Sequence, residues 1–102
     1  MKDRQLSSEP DEFHLKQYYP NPFNPETVIE YGVSEGELVV VRVYNVCGEL
    51  ICELSRGHRK AGRYRVIWDG RDDAGSVVSS GVYLIEVTAG VEREVIKAMF
   101  LK

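Results

Sequence analysis

From Thr27 onward, apolar residues recur at every second position, and no window shows helical spacing. Side chains alternate faces along a strand, whereas a helix needs apolar residues at i, i+3 and i+4. Arg63–Asp69 is the clearest case: Tyr64, Val66 and Trp68 share one face, and Arg63 and Arg65 take the other. Thr27–Val33 aligns Ile29, Tyr31 and Val33, Leu38–Val46 aligns Val39, Val41 and Val43, and Leu50–Leu54 aligns Leu50, Cys52 and Leu54. Val82–Thr88 aligns Tyr83, Ile85 and Val87, and Val91–Leu101 supplies a last strand. Turn residues separate these runs at Cys47-Gly48, Ala61-Gly62, Asp69–Gly75, Ser79–Gly81 and Ala89-Gly90. Short alternating runs with turn signals every ~8–12 residues predict an all-β antiparallel sandwich of about seven strands. Trp68 and Tyr64 are its expected core aromatics.

A chain of 102 residues makes one domain and a tail. Its net charge of −3 argues against a nucleic-acid partner, which selects a basic face. No apolar run approaches the ~18 residues of a membrane-spanning helix, so no transmembrane segment is expected. Met1–Gln5 has no apolar stretch of the secretory type. The chain is therefore expected to be either cytosolic or the C-terminal part of a larger secreted protein.

Residues 1–12 are polar and read as a flexible linker. Residues 13–26 form an extended, proline-rich N-terminal strip within a domain spanning 13–102. Its centre is Tyr19-Pro20-Asn21-Pro22-Phe23-Asn24-Pro25. Each proline fixes φ and removes a donor, and each residue before a proline is pushed to extended conformations. The strip is predicted to be stiff, with Phe23 and nearby tyrosines docking it on the sandwich.

Two features of the later strands are ambiguous. Ser55–Gly62, which contains Arg56, His58, Arg59 and Lys60, reads as a solvated basic loop rather than an anion-binding site. The last hairpin has two competing registers. One pairs Glu86 with Arg93; the other pairs Ile85 with Val95, suits the core and is preferred.

Candidate chemistry is sparse. Asp69, Asp72 and Asp73 are possible Ca²⁺ ligands, but they lack the spacing and the distal glutamate of an EF-hand loop. Asp and Gly at these positions suit turn architecture better. His14 and His58 have no nucleophile placed beside them by a motif. Cys47 and Cys52 read as a turn residue and a small core residue, in poor geometry for a disulfide. Gly48 and Gly62 read as turn glycines. Lys97 and Lys102, on the last strand, read as protection of a sheet edge. No cofactor and no catalytic residue is expected.

Taken in order, several fragments resemble a known family: Tyr19–Pro25, then Thr27–Tyr31, then Val43–Ile51 with its Asn45 and Gly48. They continue with Ala61-Gly62, Trp68-Asp69-Gly70, Ser80–Tyr83 and the terminal Lys97 to Lys102. The set resembles the type A C-terminal sorting domain of the type IX (Por) secretion system. It also resembles the related Ig-like domain of flagellar hook-capping proteins. The resemblance runs from about Leu15 to Lys102. The sorting family's three blocks map onto Pro20-Asn21-Pro22, Gly81-Val82-Tyr83 and Lys97–Lys102. Asn45 departs from the common Asp, and Cys47 is a second departure.

The resemblance implies an Ig-like fold and a role in transport rather than catalysis. Such a domain directs an upstream cargo domain of the parent chain through an outer-membrane translocon. A sortase-like peptidase commonly cuts upstream and anchors the cargo at the cell surface. Localisation would be secreted or cell-surface, reached through the periplasm of a Gram-negative bacterium. Cleavage is expected within Gln5–Phe13. Two other readings compete: a structural Ig-like module of hook-cap type, and a carbohydrate or adhesion accessory module using Tyr18, Tyr19 and Phe23.

Overall fold

The computed structural model describes residues 4–7, 14–18 and 26–101. Pro20, Asn21, Pro22, Phe23, Asn24, Pro25 and Lys102 lie outside the described residues, as does the docking proposed for Phe23. The strands are β1 (Arg4–Ser7), β2 (His14–Tyr18), β3 (Thr27–Val33), β4 (Glu37–Asn45), β5 (Leu50–Arg59), β6 (Gly62–Trp68), β7 (Gly81–Ala89) and β8 (Glu92–Phe100). They form two antiparallel four-stranded sheets, ordered β1-β6-β3-β2 and β5-β4-β7-β8. Six strands lie between Thr27 and Phe100, and two short ones precede them.

The alternation read from the sequence sets which side chains face inward. Ile29, Tyr31 and Val33 of β3 and Tyr64, Val66 and Trp68 of β6 come from one sheet. Val39, Val41 and Val43 of β4 and Tyr83, Ile85 and Val87 of β7 meet them from the other. Each such aliphatic burial contributes about 1.5–3 kcal/mol. The chain crosses between sheets at Ser34–Gly36, at Lys60-Ala61 and through residues 69–80.

Three expectations are corrected, and the strip is extended further into a strand. Arg4–Ser7, inside the stretch read as linker, pairs with β6, with Gln5 opposite Tyr64. Edge pairing uses backbone groups, so a polar sequence does not prevent it. His14–Tyr18, read as part of the docking strip, is a strand in register with β3, with Tyr18 opposite Val28.

The basic "loop" is strand: β5 runs through Arg56, Gly57 and His58 to Arg59, paired with β4. Val41 lies opposite Ser55 and Arg42 opposite Glu53, so Leu54 is an extra residue. This β-bulge resets the alternation, and Leu54 and Ser55 are both buried. A strict period of two therefore appeared to end at Leu54.

The last hairpin takes neither anticipated register. Ala89 lies opposite Glu92 and Ile85 opposite Ile96, leaving Gly90-Val91 as the two-residue loop. Gly90 has φ 61°, and no non-glycine described residue has positive φ. Positive then negative φ is the type II′ pattern, whose twist suits a hairpin. Ile96, Ala98 and Phe100 consequently face inward and Val95 outward. Glu86 and Arg93 still meet, but diagonally: the Arg93 guanidinium donates to the Glu86 carboxylate.

Candidate functional site

The sequence blocks converge on one end of the sandwich. Trp68 ends β6 opposite Thr27, where β3 begins. Gly81 begins β7 opposite Phe100, near the end of β8, and Tyr83 lies opposite Asn45 at the end of β4. Tyr18, at the end of β2, pairs with Val28 at the same end. The residues that bracket the proline segment, the Gly81–Tyr83 block and the approach to Lys102 thus share this end. Lys97 lies three residues back from Phe100, opposite Leu84.

Trp68 organises the end. It is fully buried, and its Nε1 donates to the Arg71 carbonyl at 3.0 Å. Tyr83 meets it edge-on with centroids 5.2 Å apart, and Phe100 lies tilted at 6.2 Å. Edge and tilted geometries suit the ring quadrupoles. The Tyr83 hydroxyl donates to the Ser79 carbonyl at 2.7 Å, tying the incoming chain to β7. Burial pushes the Tyr83 hydroxyl pKa up. Gly70 has φ 75°, and a Cβ there would lie 2.7 Å from the Phe100 ring. Only glycine fits that backbone against that ring.

The aspartates are used by the loop itself. Asp72 Oδ1 accepts from the Ala74 and Ser76 amides, both at 3.0 Å. Asp73 Oδ1 accepts from the Glu53 amide at 3.3 Å, and the Asp73 amide donates to the Ile51 carbonyl at 3.2 Å. Asp69 lies 3.9 Å from the Arg71 guanidinium. Among the described residues no three metal-ligating side chains converge. The arrangement is a capped turn joined to β5.

The neighbouring β4–β5 turn is built similarly. Asn45 Oδ1 accepts from the Cys47 amide at 3.0 Å and the Glu49 amide at 2.9 Å. Its Nδ2 donates to Glu49 Oε1 at 2.8 Å. The common Asp accepts but cannot donate, so Asn45 adds a bond to the acidic Glu49. Gly48 has φ 83° in this turn, whereas Gly62 opens β6. Cys47 is exposed, Cys52 is buried, and both are free. Burial, with smaller effects from nearby aspartates, pushes the Cys52 thiol up to about 12.

The outer face of the second sheet was not legible from motifs. A shallow groove of about 230 Å³ is lined by Tyr44, Gly48, Leu84, Glu86, Arg93 and Val95. Farther along, Glu53 accepts from Arg42 at 3.2 Å and from Arg56 at 2.9 Å. Those guanidiniums, Arg56 first, hold the Glu53 carboxyl below its usual range. The basic cluster is therefore partly neutralised, while His58 is exposed on β5 and His14 is placed on β2. The outward apolar positions of β7 and β8 were the available sequence signal, but their meaning required the register.

The FlgD Ig-like domain model matches residues 27–92, which is 66 of the 102 residues. The chain belongs to the FlgD Ig-like domain family. No curated protein is matched. FlgD from P. aeruginosa is 21% identical with a TM-score of 0.58, over 72% of this chain and 58% of FlgD. Dimeric latent PorU from Porphyromonas gingivalis is 16% identical with a TM-score of 0.68, over 89% of this chain and 10% of PorU. PorZ, a surface component of the type IX secretion system of Porphyromonas gingivalis, is 23% identical with a TM-score of 0.55. That likeness covers 88% of this chain and 11% of PorZ. These likenesses establish a shared Ig-like fold. The chain spans just over half of the FlgD chain and about a tenth of the two larger proteins.

Proposed function

We propose that this FlgD-type Ig-like domain is a non-catalytic sorting domain. It would direct an upstream cargo through a type IX outer-membrane translocon to the cell surface. The observation that carries this reading is the convergence at the Trp68 end. Tyr18 and Thr27 bracket the proline segment there, beside Gly81–Tyr83 and Phe100. The likenesses to PorU and PorZ add support, because 89% and 88% of the chain exceed what residues 27–92 contain. Pro20–Pro25, Lys97 and Lys102 all lie outside that matched range.

In this reading the cut by a sortase-like peptidase falls between Ser7 and His14. Sheet pairing withholds the backbone of Arg4–Ser7 and His14–Tyr18 from a protease cleft. The test is fusion of residues 1–102 to a periplasmic reporter in a type IX-competent strain. Surface delivery of the reporter supports the proposal, and retention in the periplasm removes it. The family match itself favours a second reading, a structural Ig-like module, which predicts that retention.

A further inference from the structure

Gly81 and Tyr83 mark β7, yet the Tyr83 side chain presents little for a partner to read. It packs on Trp68 and donates to the Ser79 carbonyl. The outward residues of the same strand are Val82 and Leu84. Val82 lies beside Met99, Leu84 lies between Tyr44 and Lys97, and Tyr44 lies beside Leu50. Val95 adjoins through Glu86. Leu50 is 51% exposed, Met99 45% and Val95 39%, so the rows form an apolar surface at the Trp68 end.

The carboxylates Glu53 and Glu86 beyond these rows are already engaged by arginines: Arg42 and Arg56 hold Glu53, and Arg93 holds Glu86. Lys97 stands within the apolar rows and has no ion pair among the described residues. A cation in such surroundings favours a partner that brings one opposite charge and disfavours one that brings none.

We propose that this face docks a partner protein whose surface is apolar and carries a carboxylate set to meet Lys97. The inference rests on the sorting reading and names what is read. The groove, at about 230 Å³, is small and open for an enclosed cofactor, which needs roughly 300 Å³ or more. A second copy would offer Lys97 another Lys97 face, on which Glu53 and Glu86 are already paired and Glu49 is held by the Asn45 amide. An anionic membrane is held by clusters of ~4–8 basic residues, not by one lysine.

The test uses full-length chain and 1-anilinonaphthalene-8-sulfonate, an apolar anion, as the probe. Folded wild type enhances the dye's fluorescence. Lys97→Glu and Leu84→Ser each reduce the enhancement, Lys97→Glu by about fivefold, and Lys97→Arg retains it. Thermal midpoints confirm that each variant is folded. In the reporter fusion, Lys97→Glu lowers surface delivery about tenfold while Lys97→Arg does not.

The proposal is overturned if folded wild type gives no enhancement, or if Lys97→Glu leaves both dye signal and delivery unchanged. Sedimentation showing a dimer that Lys97→Glu dissociates would assign the face to a second copy, against the proposal. Flotation with phosphatidylglycerol vesicles that depends on Lys97 would assign it to lipid, also against the proposal. If wild-type fusion stays in the periplasm, the sorting reading fails, and with it the proposal that a sorting partner reads this face.

Discussion

The two ends of the sandwich are built differently. At the Gly90 end the chain turns through Ser34–Gly36, Lys60-Ala61 and Gly90-Val91, each a minimal connection. The Trp68 end carries three buried rings, a twelve-residue crossing over 69–80 and the side-chain-capped turn at Asn45. Both ends use a tyrosine hydroxyl on the carbonyl four residues upstream: Tyr64 on Lys60 at 2.8 Å and Tyr83 on Ser79 at 2.7 Å. The Gly90 end holds one stacked pair of rings, Tyr31 and Tyr64, with centroids 5.5 Å apart. The elaborated end holds a shape, and the apolar outer rows lie over it.

The contrast can be broken most forcefully at Trp68. Trp68→Ala removes the ring that Tyr83 and Phe100 pack against and is expected to cost about 3–5 kcal/mol. Chemical denaturation measures this, and a loss below about 1 kcal/mol would show that the end does not depend on the ring. Gly70→Ala comes next, at about 1–3 kcal/mol, because its φ is positive and its Cβ meets the Phe100 ring. A thermal midpoint equal to wild type would contradict that crowding.

A finer comparison sets the two tyrosines side by side. Tyr83→Phe and Tyr64→Phe each remove one hydroxyl bond and should each cost about 0.5–1.5 kcal/mol. For a domain of this size each kcal/mol is about 4–8 °C in midpoint. If Tyr83→Phe alone lowers the midpoint, the crossing over 69–80 depends on its tether more than the minimal turn does.

The smallest effect is electrostatic. Glu53 has a folded-state pKa below its unfolded value, because Arg56 and Arg42 favour the carboxylate. Its contribution is present above the unfolded value of about 4.3 and is lost as pH falls through the lower folded value. Glu53→Gln should therefore lower the midpoint slightly at pH 7 and approach wild type in strong acid. A constant difference from pH 7 to pH 2.5 would contradict the pairing.

The inward residues of β3, β4, β6 and β7 were legible because alternation and burial are one signal. The lower part of β5 was not, because the bulge at Leu54 buries two consecutive residues and mimics a strand end. The β7–β8 register was not, because Val91 is apolar yet sits fully exposed in the loop. Its hydrophobicity argued for strand when Gly90 needed it as the second turn residue. β1 was missed because a polar edge strand carries no pattern. Of the candidate site, Gly81, Tyr83 and Trp68 were visible as residues. The inward alignment of Trp68 and Tyr83 was legible as well, whereas the apolar face above them required the pairing of all four strands in the second sheet.

One delivery assay compares the two ends. The reporter fusion would carry wild type, Lys97→Glu at the Trp68 end, or Leu38→Ser near the Gly90 end, with thermal midpoints measured for each. Wild type and Leu38→Ser are predicted to reach the cell surface and Lys97→Glu to remain periplasmic. Periplasmic retention of wild type, or equal delivery by all three, would contradict the account.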